Sequence, residues 1–188
     1  EVDSDEITNS EFGWKTIRKD GQLRFNGSAF MVDVAGLQST IFDPSIVNLF
    51  FSDNAADAEI KGVEGDFTYF TDVEGLSVAG AFSFLDTEIT KKLVPTDDVI
   101  VGEELAFAPG VQANVRVRQE FAMSAGYVGH VQAQFTYSDE SFSDIMEPNK
   151  ARQAGYSYID LRAGMTNDDI TAEPVSYTHL TLPTRFSV

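Results

Sequence analysis

The sequence predicts an all-β protein folded as an antiparallel, up-and-down meander. Three observations lead there: side chains alternate apolar and polar over long stretches, tight Gly/Asp/Asn turns join some of these stretches, and long links join the others. An extended strand sends successive side chains to opposite faces, so a period of two sorts residues into sets that a helix would mix.

Strands are expected over 11–19, 22–37, 59–71, 76–92, 111–122, 127–138 and 156–165, with an eighth beginning at Ile170. In the second, Leu23, Phe25, Gly27, Ala29 and Met31 oppose Arg24, Asn26 and Ser28. In the third, Val63, Phe67 and Tyr69 oppose Glu64, Asp66 and Thr68. The fourth carries Leu76, Val78, Gly80, Phe82 and Phe84 against the small Ser77, Ala79, Ala81 and Ser83. The fifth is the clearest, with Val111, Ala113, Val115, Val117 and Phe121 opposite Gln112, Asn114, Arg116, Arg118 and Glu120. Gly129, Val131, Ala133, Phe135 and Tyr137 then oppose His130, Gln132, Gln134, Thr136 and Ser138. Finally, Ile159, Leu161, Ala163 and Met165 oppose Tyr158, Asp160 and Arg162.

The connections carry the next inference. Asp20-Gly21, 72–75, 124–126 and 167–169 are tight turns, where Gly, Asn and Asp tolerate positive φ. Links 38–58, 91–110 and 139–155 are long, and they alternate with the turns. In a meander, alternate connections emerge at opposite ends, so the turns share one rim and the long links the other. That is the plan of an outer-membrane barrel, whose strands of ~9–11 residues cross the bilayer at a tilt. Charged residues on the polar face are costly in a dry core and natural in a wet lumen. A soluble sheet with one solvated face accounts for the alternation but not for the asymmetry of the links.

Composition narrows the class further. A net charge of −17 excludes a sequence-independent nucleic-acid binder, which needs clustered Lys and Arg, and Cys 0 removes disulfides and thiolate metal sites. No apolar run approaches the ~20 residues of a spanning helix, so contact with a membrane falls to strands. The segment 175–188 resembles the in-frame translation of a sequencing adapter. The expected division is therefore a partial barrel of seven to eight strands over 1–174 and a foreign tail over 175–188, with both natural ends missing.

The segments Ala29–Gln38, Glu59–Phe67, Gly75–Ile89 and Gly102–Pro109 are similar, in this order, to the later barrel strands of TonB-dependent receptors. The resemblance continues through Thr136–Phe142 and 156–171. Gly65 and Gln119 depart from it, standing where such strands carry larger apolar residues, which is expected to weaken the lipid-facing surface locally. The family's plug, energy-coupling box and closing strands have no counterpart in this stretch. For the whole protein the resemblance implies a place in the bacterial outer membrane, in contact with its lipid. It further implies active import of a scarce solute such as a ferric siderophore, and energy from the TonB complex acting through the missing amino-terminal region.

The candidate lumen-facing residues are Glu64, Asp66, Arg116, Arg118, Glu120, His130, Gln132, Gln134, Asp160 and Arg162. Arg116 and Arg118 either line a path or contact a plug, or else pair across strands within the wall. His130 is the one histidine outside the suspect tail, and no Gly-x-Ser-x-Gly elbow accompanies it, so no catalytic residue, metal site or cofactor is assigned. Asp97, Asp98, Glu103 and Glu104, and likewise Asp139, Glu140 and Asp144, read as solvated loop charge without calcium-loop spacing. Trp14 is either an interfacial anchor or a buried contact. The alternative function is a soluble acidic β-domain that binds a ligand or partner. The two readings separate on one measurement: expressed alone, residues 1–188 are expected to aggregate, because open strand edges and a broad apolar face are both exposed. A sharp, protected monomer on size exclusion without detergent would favour the soluble domain.

Overall fold

The computed structural model describes residues 2–43, 49–95, 97–147 and 150–178. Its strands in chain order are β1 (Glu6–Arg18), β2 (Leu23–Asp43), β3 (Leu49–Phe70), β4 (Leu76–Lys92), β5 (Val111–Ala122), β6 (Val128–Ser138), β7 (Ser141–Phe142), β8 (Arg152–Gln153), β9 (Tyr156–Thr166), β10 (Thr171–Ala172) and β11 (Val175–Thr178). Among the described residues one sheet runs β1-β2-β3-β4-β5-β6-β9-β10, with β11 also paired to β9, while β7 and β8 form a separate ribbon. Every pairing is antiparallel. The expected meander is therefore present, without a crossover among the described strands.

The short turns have the expected chemistry. Asp20 (φ 51°) and Gly21 (φ 95°) reverse the chain between β1 and β2, Gly75 (φ 75°) does so before β4, and Ala125 (φ 60°) with Gly126 (φ 76°) before β6. The link expected over 38–58 differs. Most of it is strand, because β2 continues to Asp43 and β3 starts at Leu49; 44–48 lie outside the described residues. The alternation fails there for a physical reason. Gly36 sits at φ 74°, and the pairing shifts register between Val34 and Leu37 and again before Gln38. Asn54 Nδ2 donates to the Gly36 carbonyl at 2.6 Å and Gly36 N donates to Asp57 Oδ1 at 2.9 Å, which hold the bulge. A bulge moves every later side chain to the other face, so a period of two stops being readable across it. The eighth strand is also shorter than expected, comprising only Thr171–Ala172. Ladder pairing then resumes at β11, inside the segment expected to be foreign.

Cross-strand register assigns the two faces. On one, Phe84, Val111 and Val63 form a row, and rows such as Val115, Phe135, Ile159 and Val117, Ala133, Leu161 follow it toward the turns. The large side chains of these rows are exposed, reaching 51% at Phe84 and 49% at Leu161. Fully burying such a side chain is worth ~1.5–3 kcal/mol and these forgo roughly half of it in water, so the face is built for an apolar medium.

Six directly opposed pairs set a ring over a glycine: Trp14/Gly27, Phe30/Gly62, Phe82/Gly65, Phe67/Gly80, Phe121/Gly129 and His130/Gly164. A Cβ on Gly65 would lie 2.9 Å from Phe82 Cζ and 2.8 Å from the Asn26 carbonyl oxygen. Gly65 is thus the seat of Phe82, which corrects the expectation that it weakens the outer surface. Gln119, the other departure, turns its amide to the carbonyls of Glu74 and Glu120 at 2.9 and 2.7 Å, so it joins a turn to β5. Trp14 likewise covers Gly27 and packs beside Phe25, with ring centroids 6.1 Å apart.

The driest part of the described chain lies at the sheet's long-link end, where Ala55, Ala56, Ile89, Val99, Ile145 and Met146 form one cluster. The closeness of the ring-over-glycine seats makes a prediction. In the full-length barrel, Gly65→Val should lower unfolding stability by about 1–3 kcal/mol through overpacking. Gly13→Ala, whose new Cβ would meet nothing nearer than 3.7 Å, should stay within about 0.5 kcal/mol. Denaturant titration in detergent measures both, and equal effects would refute the seating.

Candidate functional site: the polar face of the sheet

All ten candidate residues share the face opposite the apolar one, and register arranges them in rows. From the long-link end toward the turns, the first row runs Ser28, Glu64, Ser83, Gln112, Ser138, Tyr156, and the second Lys15, Asn26, Asp66, Ala81, Asn114, Thr136, Tyr158. Next come Arg24, Thr68, Ala79, Arg116, Gln134, Asp160, then Ser77, Arg118, Gln132, Arg162, and last Glu120 beside His130. Glu64 and Asp66 stand in the first two rows, with Lys15 in the row of Asp66, while Arg24, Arg116, Arg118 and Arg162 stand in the third and fourth, with Asp160 among them. Charge therefore shifts from acidic to basic over the first four rows, before the last brings Glu120. Between the acidic side of β3 and the polar side of β5, β4 contributes only Ala79, Ala81 and Ser83. A trough of ≈ 830 Å³ lies over this low strip, lined among others by Glu11, Lys15, Asn26, Glu64, Asp66, Ser83, Gln112, Asn114 and Tyr156. Strands from β1 to β9 border it, so the sheet is concave on its polar side.

The individual contacts are these. Asn26 Nδ2 donates to Asp66 Oδ2 at 3.1 Å, and the buried Ser28 Oγ to Glu64 Oε1 at 3.4 Å. Arg118 Nε pairs with Glu120 Oε1 at 2.9 Å along its own strand, where the sequence left open a path or plug contact and pairing across strands. Arg116 faces Gln134, and Asp160 follows in the same row. Gln132 separates Arg118 from Arg162, and Arg162 Nε is buried with no hydrogen-bond partner among the described residues. His130 is 5% exposed, its ring covers Gly164, and its Nε2 lies 2.9 Å from Glu173 Oε2. The sequence placed His130 on the polar wall, but the Glu173 contact, 43 positions away, has no local signal.

The acidic links are less solvated than their composition suggests. Glu103 and Glu147 converge on Lys150 Nζ at 2.5 and 3.0 Å, and the Lys150 side chain is only 9% exposed. Burial tends to lower the Lys150 pKa, but the hydrogen bonds from Glu103 and Glu147 outweigh it and hold the ammonium above its ordinary value. The Arg152 guanidinium, hydrogen-bonded to Glu140, holds that carboxyl below the usual range. At the opposite rim Lys19 Nζ donates to Tyr69 Oη at 3.1 Å.

A meander of long strands, apolar on one face and concave and polar on the other, with long links at one rim, is a wall segment of a transmembrane β-barrel. The family described as TonB dependent receptor-like, beta-barrel, matches residues 3–181, and the chain belongs to it. These receptors sit in the bacterial outer membrane and are not enzymes. The fold is similar to that of the ferric yersiniabactin uptake receptor FyuA from Yersinia pestis, with TM-score 0.66 and 17% identity over 85% of this chain and 22% of that one. It is also similar to the siderophore receptor PiuA from Acinetobacter baumannii, with TM-score 0.65 and 20% identity over 90% of this chain and 23% of that one. BauA, the ferric preacinetobactin receptor from the same organism, gives TM-score 0.63 and 20% identity over 86% and 23%. This chain thus spans under a quarter of each receptor's length. No match was found among curated protein sequences.

The His130–Glu173 hydrogen bond and the Arg118–Glu120 ion pair should respond differently to mutation. Glu173→Ala leaves a buried imidazole nitrogen unpaired and should cost about 1–3 kcal/mol of barrel stability. Glu120→Ala breaks a solvent-accessible pair and should cost less than about 1 kcal/mol. Denaturant midpoints of the full-length protein in detergent measure this, and the reverse ranking would show that His130 is satisfied elsewhere.

Proposed function

We propose that this chain is the wall of an outer-membrane active transporter that imports a scarce nutrient such as a ferric siderophore, energised by the TonB complex through a region of the protein outside this chain. The family match over 3–181 carries the reading. The siderophore receptors of similar fold support the solute class. On this reading Glu64, Asp66, Arg116, Arg118, Glu120, His130, Gln132, Gln134, Asp160 and Arg162 face the lumen, and the exposed apolar rows face lipid. Graded charge suits a passage, because successive rows of opposite sign hold a polar solute weakly at several levels rather than tightly at one.

The test is expression of the full-length gene in a host lacking its own siderophore receptors, with uptake of radioiron-loaded chelates followed with and without a working TonB complex. Uptake that disappears when TonB is removed is the expected result. Chelate entry independent of TonB would make the protein a passive pore, and no entry of any ferric chelate would exclude the solute class.

A further inference from the structure

The two links at the long-link rim, 93–110 and 139–155, share a core with the sheet. Ala55 and Ala56 come from β3, Ile89 from β4, Val99 from the first link, and Ile145 and Met146 from the second; all are below 9% exposed. Backbone hydrogen bonds stitch the same pieces together. Leu93 N donates to the Ala55 carbonyl at 3.0 Å, while Ile89 N and Gly102 N bond the carbonyls of Glu103 and Ile89, each at 2.9 Å. Between the links, Phe107 N donates to the Phe142 carbonyl and Glu147 N to the Asp98 carbonyl, both at 2.8 Å. Lys150, from the second link, reaches Glu103 of the first as well as Glu147 of its own, with its ammonium 4.6 Å from the centroid of the Phe142 ring.

We infer that the described parts of links 93–110 and 139–155 form one preformed body fixed to the ends of β3 and β4, so that this side of the barrel mouth is a rigid wall and not a pair of independently closing loops. Loops that order only around a solute expose their backbone groups to water and carry few shared apolar contacts. Here the deepest burial in the described chain lies where the two links pack on the ends of β3 and β4. Opening either one would uncover Val99 or Met146 and strand a buried ammonium, so neither link has a low-cost route of its own. Lys150 is the positioning residue that couples them. The inference rests on the barrel wall alone and not on the identity of the solute.

The test is amide hydrogen exchange of the full-length receptor in detergent, read at Gly102, Phe107 and Glu147, with the β5–β6 amides as an internal standard of barrel folding. In the wild type these link amides should be protected without added solute, and a saturating ferric chelate should leave their protection within a factor of about three. Lys150→Met should speed exchange at Gly102, Phe107 and Glu147 together, by tenfold or more, and leave β5–β6 unchanged. Met146→Ala, which opens a cavity in the shared core, should do the same by a route independent of charge. Exchange at unstructured rates in the wild type would overturn the inference, as would protection that appears only with chelate, or loss confined to 139–155 in both variants.

Discussion

Hydrocarbon offers no hydrogen bonds, and an amide or carbonyl left unpaired there costs several kcal/mol. That constraint governs this chain. It requires each long strand to be paired along its length, and the simplest chain path that achieves this is to turn back on the previous strand, as β1 to β6 do. Strand length, tight turns at one rim and the strict separation of two faces follow from it. So does the tolerance for glycine on the lipid side. Once the backbone is committed to the ladder, a bare Cα leaves a gap that the ring of the opposite strand fills, as Phe82 does over Gly65 and Phe67 over Gly80.

Removal of the apolar residues to the outside inverts the usual location of a protein core. Val115, Val131 and Leu161 are spent on lipid and are exposed in the chain itself. The polar face carries carboxylates, amides and guanidinium groups that need water or one another. Among the described residues a dry cluster therefore forms at the long-link end, where links fold over strand ends, around Ile89, Val99 and Met146. The buried Lys150 belongs to the same region, because two carboxylates from adjoining turns of chain can reach it there.

Much of this was legible in the residues. Period two placed every candidate from Glu64 to Arg162 on one common face, since that assignment depends only on parity and the four strands that carry them, β3, β5, β6 and β9, are free of bulges where those residues lie. Legibility failed where parity did. The bulge at Gly36 shifts the phase, and the partner stretch Ser52-Asp-Asn54 is rich in poor strand formers, so a continuous arm read as a loop. Contacts between distant segments were also invisible. Nothing local to His130 announces Glu173, nor anything local to Glu103 announces Lys150, because both meetings depend on tertiary closure. The opposed ring and glycine pairs left a trace that a register-aware reading finds, since once the turns are known each glycine has a single partner.

The low strip of β4 has a consequence of its own. Ala81 and Ser83 stop at or near Cβ, so the space above them is a clearance set by two positions of one strand. Their immediate chain neighbours Gly80 and Phe82 point the other way and answer to membrane packing. The bore of the wall and its fit to the bilayer are thus written on alternate letters of the same segment. A lineage can widen or narrow the one by changing odd-numbered positions while the even-numbered ones hold the other constant, so the two surfaces of the strand are free to vary separately.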